Sequence, residues 1–113
     1  KECLVEGVFV HSFAKLDLGK KVAEHLVSDL GADVVFGCAG ATGSAAIMKA
    51  AELGADVVGV DVDEYHTTFA NEPVERKARV LTSVVKDLEV ALNVFIAEFE
   101  HSSADALGTR LDM

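Results

Sequence analysis

Hydrophobic residues in this chain fall into short runs separated by polar or glycine-rich turns. The clearest feature is an internal repeat: Leu-Gly-Ala-Asp-Val-Val at residues 30–35 recurs at residues 53–58, an offset of 23 residues. Each copy is typical of a helix that ends at a glycine and is followed by a β-branched run buried on both faces of a parallel sheet. The repeat therefore predicts two successive βα units whose strands run parallel.

The same pattern predicts the remaining elements. Strands are expected at residues 4–10, 33–36, 56–60 and 79–83. Helices are expected at residues 18–30 with Asp17 as the N-cap, at 42–53, and at 84–98 with an apolar stripe that includes Leu88, Leu92 and Phe95 on its buried side. The polar stretch 61–77, which contains Pro73, predicts a long loop with a short helical turn.

This order of elements predicts the fold class and the domain organisation. Strands that alternate with helices through right-handed crossovers give an α/β fold, here a three-layer open sheet of four parallel strands with helices on both faces. Residues 1–100 are expected to form a single α/β ligand-binding lobe, and residues 101–113 a polar tail or a truncated connection. Because the chain begins at Lys1, we expect an excised piece of a longer polypeptide.

Composition narrows the classes of function. The 113 residues are 50% hydrophobic and carry a net charge of −9, and the ten basic residues are scattered, so nucleic acid is not expected as a partner. Cys3, Cys38 and the four histidines show no metal-ligand spacing, so neither a metal, a cofactor nor thiol catalysis is predicted. The chain has no uninterrupted apolar run of the length that spans a bilayer.

A ligand site is expected where the strands end, because open parallel sheets bind ligands outside the carboxyl ends of their strands. The loops that meet there lie at residues 11–17, 37–43, 61–65 and 83–86. In the glycine-rich loop, Gly40, Thr42 and Gly43 would let the backbone approach a ligand and would present free helix N–H groups. A tight turn between a strand and a helix is an equally good interpretation of the same residues.

This loop also has features of nucleotide-binding motifs. It is not a P-loop, since Ser44 stands where that motif has lysine. Residues 40–43, Gly-Ala-Thr-Gly, with Asp61 about twenty residues further on, are closer to a dinucleotide fingerprint, although Ala46 replaces its third glycine. A dinucleotide-binding oxidoreductase domain therefore stays open as an alternative.

Three further side chains are candidates for ligand contacts. Asp61 directly follows an apolar strand and could accept two sugar hydroxyl hydrogen bonds, whereas Asp63 and Glu64 are better explained as a solvated acidic loop. Lys86 lies near a helix start, against the helix dipole, unless it is a surface lysine paired with Asp87 or Glu89. The Phe36 ring could stack on a base or simply pack in the core.

Three motifs in order resemble the basic membrane protein family of substrate-binding lipoproteins, which are relatives of the type I periplasmic binding proteins. Residues 36–43, Phe-Gly-Cys-Ala-Gly-Ala-Thr-Gly, are similar to the family's strand that ends in Phe before Ala-Gly-Gly-Thr-Gly. Residues 59–64, Gly-Val-Asp-Val-Asp-Glu, are similar to its Gly-Val-Asp-Ser-Asp-Gln. Residues 81–86, Leu-Thr-Ser-Val-Val-Lys, are similar to its Leu-Thr-Ser-Met-x-Lys.

The resemblance covers residues 4–100 and corresponds to the second of the family's two lobes. It implies a non-catalytic lobe that binds a purine nucleoside-like molecule for an ABC importer or an extracellular sensor. Asp61 and Lys86 would then contact the ribose, and Phe36 with the glycine loop would pack on the base. Ala41 and Glu64 depart from the family pattern, which has Gly and Gln at these positions.

The resemblance also implies a location and partners. The location would be periplasmic or extracellular, with a membrane anchor in another part of the parent protein. The partners would be the small-molecule ligand, the remaining lobe and the membrane subunits of the ABC transporter. A homo-oligomer, in which a lobe without ligand pairs through its open face, is a further alternative.

Overall fold

A computed structural model describes residues 2–101 and confirms the α/β class. Its strands are β1 (Val34–Phe36), β2 (Asp56–Asp61) and β3 (Val80–Val85), which form one parallel sheet in the order β1-β2-β3. Its helices are α1 (Leu16–Glu24), α2 (Gly40–Glu52), α3 (Val74–Lys77) and α4 (Leu88–His101), and α1 continues into a π-helical turn at His25–Asp29. The expected short helical turn in the long loop is therefore present, as α3.

The internal repeat forms the two βα units that it predicts. β1 pairs with β2 in parallel, with Val34 opposite Asp56 and Val35 opposite Val57. The repeat glycines Gly31 and Gly54 have φ values of +71° and +94°, the left-handed conformation that ends a helix most easily at glycine. Sequence repetition and backbone geometry thus agree at both helix ends.

The core lies between the sheet and α2, with α1 packed against α2. It is built mostly from small and β-branched residues, which let the elements approach closely. Its buried members are Ala23, Val35, Ala46, Ile47, Ala50, Ala51, Ala55, Val57 and Phe69. Phe69 comes from the loop expected to be polar, so this loop supplies one of the largest fully buried side chains of the core.

Gly19 is the point where α1 crosses α2. A Cβ atom at Gly19 would overlap the carbonyl oxygen of Thr42 and lie 3.2 Å from the backbone nitrogen of Ala46. The missing side chain therefore sets the distance between the two helices.

The expected first strand is wrong. Residues 2–10 contain no strand, and Leu4 and Phe9 are 85% and 90% exposed. An apolar run becomes a strand only where a neighbouring strand satisfies its backbone hydrogen bonds, and in residues 2–101 β1 pairs with β2 alone. The described sheet has three strands rather than four.

Several helix boundaries also differ from those expected. α1 begins at Leu16 with Lys15 at the N-cap position, so Asp17 lies in the first turn, where a negative charge is favourable. α2 begins at Gly40 rather than at residue 42. β3 extends to Val85, and the last helix starts only at Leu88 because the Asp87 carboxylate accepts a hydrogen bond from the Val90 N–H (3.0 Å).

The expected burial of the last helix is wrong as well. α4 has no buried residue, and Leu88, Leu92 and Phe95 are all exposed. The apolar stripe is present in the sequence, but within the described residues no surface packs over it. On the sheet, Val34 and Phe36 flank the buried Val35 and remain about half exposed. The expected tail lies outside the described residues, except for His101 at the end of α4.

We expect Gly19→Ala to lower the free energy of unfolding by about 1–3 kcal/mol, because the added methyl group would overlap the Thr42 carbonyl. Alanine has a higher helix propensity than glycine, so a loss of stability in this variant would come from the overlap and not from the helix itself. Urea denaturation followed by circular dichroism measures the difference. Gly7→Ala is the matched control, since a Cβ there has no neighbour within 4 Å. Equal stability of both variants would contradict the close crossing.

Candidate functional site

Asp61 and Lys86 meet at the carboxyl ends of β2 and β3. The Lys86 Nζ lies 2.8 Å from Asp61 Oδ1, and the Lys86 N–H donates to the Asp61 carbonyl oxygen at 3.1 Å. The Lys86 side chain is 68% exposed and the Asp61 side chain is 45% exposed, so both charged groups are accessible from solvent. Lys86 therefore pairs with Asp61 and not with Asp87 or Glu89, the pairing that the sequence left open.

The backbone of Asp61 adopts a conformation that is uncommon for a residue with a side chain. Its φ is +71°, and the Val62 N–H donates to the Val60 carbonyl oxygen at 2.9 Å, which closes a γ-turn around Asp61. This left-handed form of the turn is rare and strained. Strain of this kind is concentrated at functional sites, where the surrounding structure holds it in place.

The neighbourhood of Lys86 favours its charged form. The hydrogen bond that Lys86 donates to Asp61, and then the negative charge of Asp61, raise the pKa of Lys86 above its ordinary value; loss of hydration opposes this rise, and Cys38 adds a smaller increase. The pair brings together the carboxyl ends of β2 and β3. The sequence predicted this convergence from the parallel topology alone.

The glycine-rich loop is occupied by contacts within the chain. Thr42 is fully buried; its hydroxyl accepts a hydrogen bond from the Lys15 N–H (2.8 Å), and its own N–H donates to the Phe13 carbonyl (3.2 Å). The Gly43 N–H donates to the Ala39 carbonyl (3.1 Å). The start of α2 is therefore tied to the segment before α1.

The glycines of this loop allow backbone segments to touch. A Cβ at Gly43 would overlap the carbonyl oxygen of Gly37, and Gly40 has a φ of +53° and lies against Phe13. These contacts account for the glycines as a tight turn between β1 and α2. A ligand contact by Gly40, Thr42 or Gly43 stays a prediction.

Phe36 does not pack in the core of the described structure. It is the last residue of β1 and is 53% exposed, directly before the glycine-rich loop. Its ring is therefore available for stacking on a ligand, and that role stays a prediction.

Glu64 is the residue that sequence reasoning missed. It was expected to be solvated, but it is only 3% exposed. Its Oε1 accepts a hydrogen bond from Ser44 Oγ (2.9 Å), and its N–H donates to Ser83 Oγ (3.1 Å). Gly59 makes room for it, since a Cβ there would overlap Glu64 Cγ. A glycine inside an apolar strand is the sequence signal that could have indicated a close neighbour.

Asp63, in contrast, is the solvated acid that was expected. Its Oδ2 lies 2.9 Å from His66 Nδ1, and its Oδ1 accepts a hydrogen bond from the Tyr65 N–H at 3.1 Å. The hydrogen bond with His66 is the largest influence and holds the pKa of Asp63 below its ordinary value. Asp63 therefore shapes the turn after β2 rather than the strand-end charge pair.

A separate groove with a volume of about 630 Å³ runs along α1, α2 and α3. Its lining includes Leu16, Met48 and Arg76 but none of the predicted site residues. We place the candidate site at the strand ends instead, because the exposed charge pair and the strained backbone are there.

Residues 2–101 hold no group of three or more His, Cys, Asp or Glu side chains arranged for a metal ion. None of the helices in the same range has both the length and the apolar character needed to cross a membrane.

We expect Asp61→Asn to lower the pKa of Lys86 toward its ordinary value, because a neutral amide is a weaker hydrogen-bond acceptor than the carboxylate and carries no negative charge. The pair raises this pKa in the folded state. Its contribution to stability is therefore present below the ordinary lysine pKa and is lost as the pH rises through the raised value. NMR titration of the Lys86 Cε resonance measures the shift. Asp87→Asn is the control and should leave the titration unchanged; an unchanged titration in Asp61→Asn would contradict the pair.

Comparison with known proteins identifies the family. The model of the Bmp family, described as ABC transporter substrate-binding protein PnrA-like, matches residues 1–108. The chain is 33% identical over 101 residues to Basic membrane protein A1 of Borrelia garinii subsp. bavariensis. The aligned region covers 88% of this chain and 27% of that protein. It is 35% identical over 97 residues to Basic membrane protein A of Borreliella burgdorferi, which covers 84% of this chain and 26% of that protein.

This chain thus spans about a quarter of the length of the curated relatives it matches. No solved structure matches it. The family match extends over nearly the whole sequence and includes all three strand-end motifs. The chain therefore belongs to the Bmp family of PnrA-like ABC transporter substrate-binding proteins.

Proposed function

We propose that this chain forms one side of a cleft that binds a purine nucleoside-like molecule without chemical turnover. The observation that carries the proposal is the Asp61 carboxylate, which is held in a strained γ-turn at the end of β2 and stays accessible beside Lys86. The family of substrate-binding proteins supports a solute-binding role for such a site.

The chemistry of the strand ends suits a sugar that carries hydroxyl groups. The two oxygens of a carboxylate can accept hydrogen bonds from two neighbouring hydroxyls, and hydrogen bonds to a charged acceptor are the stronger ones. The Lys86 ammonium can donate to an oxygen of the same sugar. The exposed Phe36 ring at the end of β1 offers an apolar face for a base.

A dinucleotide cofactor fits the same geometry less well. Binding of a pyrophosphate requires free N–H groups at the start of the helix after the glycine loop. Here the Thr42 N–H already donates to the Phe13 carbonyl, which leaves one N–H group fewer for a pyrophosphate at the start of α2. The nucleoside proposal needs no anion site at this position.

The role of the whole protein follows from the family and is part of the proposal. The cleft would be completed by the remaining lobe of a longer parent protein. That protein would deliver its ligand to the membrane subunits of an ABC importer, or act as an extracellular sensor. Its place would be periplasmic or extracellular, anchored to the membrane.

Calorimetric titration of this chain and of its parent protein with adenosine, guanosine and inosine tests the proposal. We expect saturable binding of at least one nucleoside by the parent, and weaker binding by this chain alone because it supplies only one side of the cleft. NAD and NADP serve as the comparison ligands. Binding of NAD or NADP but of no nucleoside would overturn the proposal in favour of a dinucleotide site.

We expect Asp61→Ala to weaken nucleoside binding by about 1.5–3 kcal/mol, the range for a lost hydrogen bond to a charged group. The same calorimetric titration measures the change, and circular dichroism checks that the variant is folded. Asp33→Ala is the matched control, since Asp33 lies just before β1, at the opposite end of the sheet. Unchanged affinity in folded Asp61→Ala would remove Asp61 from the site.

A further inference from the structure

Glu64 connects three elements that converge behind the strand-end site. Its N–H donates to Ser83 Oγ on β3 at 3.1 Å, and its Oε1 accepts from Ser44 Oγ on α2 at 2.9 Å. Its side chain lies over Gly59 of β2, in the space that a Cβ would need. Its carbonyl oxygen accepts a hydrogen bond from the N–H of the fully buried Phe69 (2.9 Å). One residue therefore fixes the turn after β2 at four points.

This turn begins with the strained residue. Asp61 lies three positions before Glu64, and its left-handed φ of +71° is unfavourable for a residue with a side chain. Such a conformation persists only where the surrounding structure holds it in place. Lys86 holds one side of it through the Asp61 carbonyl and carboxylate. The contacts of Glu64 hold the other side.

The carboxylate of Glu64 is also kept at a cost to stability. Its Oε2 is buried and has no hydrogen-bond partner within the described residues. A buried polar atom without a partner is unfavourable, and one that is present in a fold calls for an explanation other than stability. Positioning of the neighbouring site is such an explanation.

We propose that Glu64 is a positioning residue, which holds the Asp61 carboxylate beside Lys86 by fixing the turn after β2 to both β3 and α2. Its value for ligand binding rests on the proposed function, whereas its effect on the charge pair does not.

The experiment uses the Lys86 titration as a reporter of the charge pair, because Asp61 is what raises the pKa of Lys86. Glu64→Ala removes the side-chain contacts of Glu64. We expect the pKa of Lys86, measured by NMR from its Cε resonance, to fall toward its ordinary value in the folded variant. Glu64→Gln keeps the shape and an oxygen for Ser44, and should retain the raised pKa. Glu75→Ala, at an exposed glutamate of α3, is the control for loss of an acidic side chain.

A merely structural role for Glu64 would lower the melting temperature of Glu64→Ala but leave the Lys86 titration of the folded protein unchanged, and this result would overturn the proposal. If Glu64→Ala does not fold, Ser83→Ala takes its place, since it removes the hydroxyl that accepts the Glu64 N–H. A fall of the Lys86 pKa in Ser83→Ala supports the proposal, and an unchanged Lys86 pKa in this variant overturns the proposal.

A ligand arm separates this inference from the proposed function. Whichever of adenosine, guanosine and inosine the parent protein binds should, by calorimetry, bind the Glu64→Ala parent about tenfold more weakly than the wild-type parent, and should bind the Glu64→Gln parent about as well. If the wild-type parent binds none of the three, the proposed function fails, and the Lys86 titration still decides the role of Glu64.

Discussion

The structure depends on how closely the backbone of α2 approaches its neighbours. α1 crosses it at Gly19, where a side chain would overlap the Thr42 carbonyl, and the loop after β1 meets it at Gly37 and Gly43. With no side chains at these points, α2 lies directly against both α1 and the sheet, and its alanines complete the core. A helix spaced further away would leave cavities that the small core residues could not fill.

The same close approach explains why the glycine-rich loop differs from a nucleotide-binding loop of similar sequence. Thr42, in the first turn of α2, is fully buried against the segment before α1, where its hydroxyl and its N–H both have partners. The Thr42 N–H at the helix start is therefore taken up by the chain itself. The groups that are exposed to a ligand include the charge pair at the ends of β2 and β3 and the ring at the end of β1.

Near the end of β2 a glycine again makes room for a neighbour, in this case the Cβ and Cγ atoms of Glu64. The contrast between Asp61, Asp63 and Glu64 shows how three acids in four positions take different roles. Asp61 is strained and pairs with Lys86, Asp63 is solvated and closes a turn with His66, and Glu64 is buried. The difference arises from which side of the turn each side chain leaves, and from what lies there.

Local sequence was sufficient for the features that depend on near neighbours. The 23-residue repeat predicted two parallel strands and the glycines at which the preceding helices end. The strand-end motifs indicated the family, and they predicted Asp61 and Lys86 as site residues. Such patterns report the conformation of a few consecutive residues, and parallel topology then places strand ends at one edge of the sheet.

Features that require a distant partner were decided only by the tertiary structure. Within residues 2–101, the run at residues 4–10 has the pattern of a strand but no strand pairs with it, and nothing in that range packs over the apolar stripe of α4. Glu64 is buried because Gly59 and two serines surround it, and Lys86 selects Asp61 rather than the acids next to it in sequence. Burial and pairing depend on which remote segment occupies the adjacent space, and a local pattern of polarity does not contain that information.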